Sequence, residues 1–167
     1  MPKYPQRIAG GADPGAVFEH RSDLYSIRHE GRDRNGGAVA VMDDDAHARF
    51  AVYEGEPGPD APPTDVGPVY SLGRDGPLAV PTGRVLVRMT APVTPAERRA
   101  EFAKAGFEIE RTLSYAPDAA WLRPSRGGVA RGLLGLAALQ QIAGVAHVEP
   151  QMLLARALKG RRPATTR

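Results

Sequence analysis

The stretch "RVLVRMTAPVTPAERRAEFAKAGFEIERTLSY", residues 84–115, predicts a strand, a helix and a second strand in succession. Its first part (84–89) alternates valine and methionine with arginine, interrupted by one leucine, which is the period of a half-buried strand. The middle part (94–106) begins with a Thr-x-x-Glu capping box and ends at a glycine, which are the start and stop signals of a helix. The last part (107–115) alternates again. Its apolar residues predict a second strand packed on the same helix.

The rest of the second half repeats the pattern. "AWLR" (120–123) follows a turn and is typical of a short strand, and "RGLLGLAALQQIAG" (131–144) has the length and leucine spacing of a helix. Its apolar stripe comprises Leu133, Leu136, Leu139 and Ala143. "VAHVEP" (145–150) is the last strand. The order therefore predicts an α+β protein with a ferredoxin-like βαββαβ antiparallel sheet and both helices on one face.

The first half predicts a small N-terminal β-rich segment before this domain. Residues 1–20 are punctuated by glycine and proline and indicate a flexible arm. The segment 21–82 contains a Pro/Gly linker at 55–68, and its predicted strands lie at 24–28, 37–42, 49–54, 69–72 and 77–80. The main domain is then 83–158, followed by a basic tail at 159–167.

Composition indicates a soluble globular chain of 167 residues, with 42% hydrophobic and 25% charged residues. Since the sequence has no cysteine, disulfides and thiolate zinc sites are excluded. No apolar run reaches the length of a signal peptide or a membrane span, so we expect a cytoplasmic location and no membrane partner for the chain as written.

The charge is distributed unevenly along the chain. Residues 1–83 contain 8 Lys and Arg against 13 Asp and Glu, whereas residues 84–167 contain 14 against 6. We do not expect a nucleic-acid partner, because the basic residues are dispersed and no nucleic-acid-binding motif accompanies them.

No set of residues indicates an enzyme. Serine and histidine occur without the spacing of a nucleophile and its base, so we expect no catalytic site, no small-molecule substrate and no cofactor. "MDDDAHAR" (42–49) lacks the spaced carboxylates of a calcium loop and favours a polar hairpin turn over a metal site. His147 is interpreted as a surface histidine and Trp121 as a core residue.

Residues 83–155 resemble the prodomain of subtilisin-like serine proteases, a family that includes free-standing protease inhibitor domains. The resemblance rests on the order and spacing of four motifs. These are "VPTGRVLVRM" (80–89), "TPAERRAEFAKAGFEIERTL" (94–113), "AAWLRP" (119–124) and "ALQQIAGVAHVEPQMLL" (138–154). No catalytic motif of the protease itself is present in the sequence.

The resemblance implies a partner and a binding mode. The partner is a subtilisin-like serine protease, which the chain inhibits or helps to fold. In this family the open sheet face packs on two helices of the protease, an acidic residue caps their N-termini, and the C-terminal tail lies in the active-site cleft. The matching protease-binding residues are Glu149, Pro150, Gln151, Met152, Leu153, Leu154 and Ala155. Pro150 and Gln151 depart from the family, in which a further acidic residue or asparagine often follows the glutamate.

Other interpretations of the same residues remain open. Glu149 has the pattern of a solvated carboxylate at a strand end. Residues 152–158 also have the composition of a last strand or helix packed on the chain's own core. The alternative function is a structural protein that self-associates through its open sheet or sheet edges.

Overall fold

The computed structural model describes residues 4–10, 15–30, 36–45, 47–62 and 65–156. Within them, nine strands form one sheet in which every neighbouring pair is antiparallel. The strands are β1 (Arg7–Ala9), β2 (Val17–Glu30), β3 (Ala40–Asp43), β4 (Ala48–Glu54), β5 (Val66–Leu72), β6 (Leu78–Met89), β7 (Phe107–Leu113), β8 (Ala116–Pro124) and β9 (Val145–Leu154).

Helices are confined to two short stretches of the described chain. The first is a 3₁₀ turn, Pro95–Arg98, followed by α1 (Arg99–Lys104), and the second consists of α2 (Val129–Leu134) and α3 (Leu136–Gln140). Of the described residues, 52% lie in strands and 15% in helices. The predicted ferredoxin-like α+β fold is therefore wrong, because the chain is mostly β and its strands extend through a single nine-stranded sheet.

The reason for this error is the length of β6. The sequence predicts two separate strands, at 77–80 and 84–89, but β6 is continuous from Leu78 to Met89. The beginning of β6 pairs with β5, its end pairs with β8, and β9 pairs along the other edge. The N-terminal strands consequently belong to the same sheet, in the order β3-β4-β2-β5-β6-β8-β7.

One end of this sheet curls around a core of its own. Strands β2 to β6 each contribute a buried side chain to a single cluster, and two residues near the end of β9 pack against it. Because strands from both ends of the path β3-β4-β2-β5-β6-β9 contact one cluster, this part of the sheet must curve. The first core comprises Leu24, Met42, Phe50, Val52, Val69 and Val80, with Leu153 and Ala155 against it.

A second core lies between the helices and the strands β7, β8, β6 and β9. Val85, Val87 and Met89 are buried there against Phe102 of α1 and Leu139 of α3. The predicted alternation of β6 is thus confirmed for its second half. The predicted capping box is also present, and the Thr94 N–H donates to Glu97 Oε2 at 2.6 Å.

Two local predictions in this half are wrong. The pairing of β7 with β8 shifts by one residue between Ile109 and Arg111, so the predicted alternation does not continue, and Tyr115 is 83% exposed. The second helix breaks at Gly135, where an added Cβ would overlap the Phe107 ring. After the break Ile142 packs against the second core and Ala143 is exposed.

The N-terminal residues cover the sheet close to the start of β6. Part of the predicted arm, Arg7–Ala9, pairs with β2, and the Tyr70 hydroxyl donates to the Pro5 carbonyl at 2.9 Å. Burial raises the pKa of Tyr70 above its usual value. Ile8, Phe18, Tyr70, Ala79 and Leu133 form a third core beneath this segment.

Helix α2 packs where β6 changes neighbours. The β5 pairs end at Ala79 and the β8 pairs begin at Val85, and α2 approaches β6 between these positions. Gly83 has a φ of +94°, which favours glycine, and its carbonyl lies directly against Gly132 of α2. Two glycines therefore allow the backbones of the helix and the strand to approach closely.

We predict that Gly132→Ala lowers the free energy of unfolding. Alanine stabilises a helix by about 1 kcal/mol over glycine, but here its Cβ would overlap the Gly83 carbonyl. Overpacking costs roughly 1–3 kcal/mol and should outweigh that gain. Gly58→Ala is the control, since nothing lies within 4 Å of its Cβ position. Urea unfolding measures both variants, and equal stabilities would contradict the proposed contact.

Candidate protein-binding face

The strands β7, β8, β6 and β9 have a second face that carries no helix. Because side chains alternate along a strand, the neighbours of Val85, Val87 and Leu122 point away from the second core. Two of these neighbours, Leu86 and Trp121, are aligned by the strand registers with Arg111 of β7 and Glu149 of β9. The four residues form one row across the sheet, Arg111–Trp121–Leu86–Glu149. We call this surface the helix-free face.

Glu149 lies at the β9 end of this row. Its side chain is 32% exposed, and the nearest charged group is the His147 ring, whose Nε2 lies 3.7 Å from Glu149 Oε2. This pair is an ion pair only when His147 is protonated. The Glu149 carboxylate can also accept hydrogen bonds from a partner.

A groove of about 560 Å³ borders Glu149. Leu86 and Trp121 of the row line it, together with the start of β2 and the adjoining β1, and β9 from Glu149 to Met152. Glu149 is the single charged residue among those that line it in the described chain. The site thus combines an apolar surface with one carboxylate, and we call it the apolar groove.

An ion-pair cluster lies on the other side of Trp121. Arg84 Nη1 contacts Asp45 Oδ1 at 2.8 Å. Arg84 Nε also lies 2.8 Å from Glu110 Oε2, and Arg84 Nη2 donates a hydrogen bond to Glu110 Oε1 at 3.0 Å. Partial burial lowers the pKa of Arg84, but the two carboxylates outweigh this effect and hold it above its usual value. The cluster connects the β3–β4 turn to β6 and β7, and therefore fixes one border of the helix-free face.

The residues predicted for protease binding all lie on or directly after β9. Glu149 and Pro150 pair with Leu86 and Val85 of β6. The strand then continues through the predicted substrate-like tail, because Met152, Leu153 and Leu154 pair with Pro81, Val80 and Ala79, and Ala155 N donates to the Leu78 carbonyl at 2.7 Å. Residues 151–155 are therefore part of the sheet, as in the last-strand alternative. Residues 157–158 and the predicted basic tail at 159–167 lie outside the described residues.

We predict that Leu153→Ala destabilises the protein more than Leu154→Ala. Leu153 packs against the first core, whereas Leu154 is 45% exposed. Removing the partly buried side chain should cost about 1–2 kcal/mol, and removing the exposed one less than about 0.5 kcal/mol. Thermal or urea unfolding measures the difference. If neither substitution changes the stability, residues 151–155 are a free tail in solution.

Sequence reasoning missed several residues of this site. Trp121 was predicted to be a core residue, but it is half-buried on the helix-free face. In "AAWLR" the tryptophan and the neighbouring leucine are both apolar, so alternation does not indicate which of them faces the helices. Ile8 and Phe18 of the groove come from the predicted arm. Their contact with β9 depends on pairings between segments far apart in the sequence.

The acidic stretch at 42–49 forms the β3–β4 hairpin turn. Asp43 binds Arg49 at 2.9 Å, Asp45 binds Arg84, and Asp44 Oδ1 accepts a hydrogen bond from Ala48 N. The part of the chain that the structure describes contains no group of three or more His, Asp or Glu side chains placed to hold a metal ion. It also contains no helix long and apolar enough to span a membrane.

Comparisons with known proteins leave the family of this chain unassigned. No family model, no curated protein and no solved structure matches the chain.

Proposed function

We propose that this chain is a protein-binding module that docks a partner on its helix-free face, with Glu149 as the central polar contact. The observation that carries the proposal is the position of Glu149, which lies on that face at the border of the apolar groove. The resemblance to protease prodomains suggests that the partner is a subtilisin-like serine protease. In such a complex the chain acts as a free-standing inhibitor or folding assistant.

The chemistry of the face fits a partner that presents helix N-termini. The unpaired N–H groups and positive dipole end of a helix attract a carboxylate. Glu149 is two-thirds buried, and within the described chain its ion-pair contact is with His147 alone, so a helix end docked there would form charge-assisted hydrogen bonds. A hydrogen bond to a charged group contributes about 1.5–3 kcal/mol.

The neighbouring row supplies the apolar part of the interface. Leu86 and Trp121 lie beside Glu149 on the same face, and tryptophan is enriched among the residues that dominate binding energy. The groove beside them can receive an apolar side chain of the partner. The ion pairs of Arg84 hold the edge of this surface in place before binding.

The pairing of β9 favours docking through the sheet face rather than through residues 151–155 in a protease cleft. Cleft binding by these residues would require Met152, Leu153 and Leu154 to leave β6 and two of them to leave their cores. The loss of those contacts would oppose binding. Docking on the helix-free face leaves the sheet intact.

We predict that Glu149→Gln weakens inhibition of a subtilisin-like protease at least about tenfold, because the uncharged amide loses the charge-assisted hydrogen bonds. Inhibition is measured by titrating several such proteases with the purified chain and following a chromogenic substrate. Trp121→Ala should weaken inhibition as well, through the loss of apolar contact.

The matched control is Glu101→Gln, since Glu101 is a half-exposed carboxylate of α1 on the helix-covered side of the sheet. This variant should inhibit like the unmodified chain. Equal inhibition by the Glu149→Gln and Glu101→Gln variants would contradict the assigned role of Glu149. An unmodified chain that neither inhibits the proteases nor binds them when they are immobilised for biolayer interferometry would remove the protease as the partner.

A further inference from the structure

We propose that a second site, between the edge strands β3 and β9, binds an extended apolar peptide strand of a partner protein that carries a carboxylate at one end. This site is a groove of about 760 Å³. It is lined by residues 39–43, Leu78 and residues 153–156, and we call it the edge groove. Its volume is in the range of ligand-binding clefts. The proposal is independent of the helix-free face.

Both strands that border the edge groove have one unpaired edge. Within the described residues β3 pairs only with β4, and β9 pairs only with β6. In an antiparallel pair the backbone groups of successive residues point alternately toward and away from the neighbouring strand. Since Asp44 N donates to the Ala48 carbonyl, the backbone groups of Val41 and Asp43 point away from β4.

The backbone groups of β9 also alternate in direction. Ala155 N donates to the Leu78 carbonyl, so the backbone groups of Leu154 point away from β6. The two edges come close together, with Cα atoms of β3 and β9 within 8 Å. Two strands that flank a third are about 9.6 Å apart, so the peptide pairs with one of the two edges and lies against the other. An extended peptide added to such an edge gains main-chain hydrogen bonds, and the adjacent groove selects its side chains.

Three apolar side chains along the edge groove are exposed. Val39, Val41 and Leu154 are 49%, 42% and 45% exposed, and they are half of the six large hydrophobic residues that the described chain exposes. The other long free edge, β7, is lined differently, because it carries Glu108, Glu110 and Arg111. Charges on an edge strand prevent association. The contrast indicates that the edge groove accepts an apolar strand.

The charged residues that line the edge groove indicate what kind of peptide it binds. Arg156 forms no ion pair with any described residue, whereas Asp43 is bound to Arg49. Among the described residues that line the groove, the charge without an ion pair is therefore positive and fits a carboxylate. The sequence after Arg156 contains four basic residues and no acidic one, so it does not complement Arg156. The β3 strand of a second copy likewise supplies no carboxylate, since its Asp43 is already paired.

The test uses the full chain and a fluorescein-labelled heptapeptide, Thr-Val-Thr-Val-Thr-Val-Asp, in a fluorescence anisotropy titration. We expect saturable binding that Val41→Lys weakens about tenfold or more, because a lysine on an edge strand opposes pairing. The control is Tyr115→Lys, which places the same charge at an exposed position outside the groove and should bind normally. Circular dichroism verifies that both variants are folded.

Two further probes test the backbone pairing and the charge. A peptide with proline in place of its central valine lacks one N–H and should not bind. A peptide that ends in asparagine amide should bind the unmodified chain roughly two- to fivefold more weakly, but should not lose affinity for the Arg156→Gln variant.

Several results would overturn the proposal. These are an absence of saturable binding, equal binding by the Val41→Lys and Tyr115→Lys chains, and full binding of the proline peptide. Sedimentation velocity tests the remaining possible occupant, a second copy of the chain. If the unmodified chain is a dimer that Val41→Lys dissociates, the edge groove holds a second copy and not a partner peptide. Loss of peptide binding does not affect the Glu149 test, since Val41 and Arg156 line only the edge groove and Glu149 lines only the apolar groove.

Discussion

The pairing of β6 with three strands is the interaction on which the rest of the structure depends. Its beginning bonds to β5, its end bonds to β8, and β9 follows its other edge. The change of neighbour leaves a short length of β6 without a strand on one side, and α2 packs there through the contact of Gly132 with Gly83. The strand and the helix together join the curled N-terminal part of the sheet to the helix-covered C-terminal part.

Both proposed binding surfaces follow from this arrangement. Because the N-terminal strands belong to the same sheet, β1 and the start of β2 line the apolar groove together with Trp121 and Glu149. The curvature of the sheet also brings β9 near β3, which creates the edge groove. Strand β9 contributes to both sites, with Glu149 on the first and Leu154 on each of them.

The parts of the structure that were predictable from sequence are those that depend on local patterns. Three features were predicted correctly because each depends on residues a few positions apart in the sequence. They are the inward-facing residues of β6 at 85, 87 and 89, the Thr94–Glu97 capping box and the β3–β4 turn. Glu149 was predicted to bind a protease because its motif resembles that of protease prodomains. The structure places this residue on the helix-free face.

The remainder depends on contacts between distant segments. In the sequence, Pro81 and Gly83 predict a break between two strands. Strand β6 nevertheless continues through them, because β9 pairs with β6 on both sides of the register shift between Pro81 and Val85, and α2 packs against Gly83. The bulge of β7 and the helix break at Gly135 also follow from tertiary packing, in the second case against Phe107. No local pattern encodes these neighbours, so the mostly-β fold was not predicted.

The most direct test of this account is equilibrium urea unfolding followed by two probes. Trp121, the only tryptophan of the chain, reports on the C-terminal part of the sheet, whereas far-UV circular dichroism reports on all the strands. If β6 joins both parts into one cooperative unit, the two probes should give a single transition with the same midpoint. A circular dichroism transition that occurs separately from the Trp121 transition would contradict the claim that one shared strand holds the structure together.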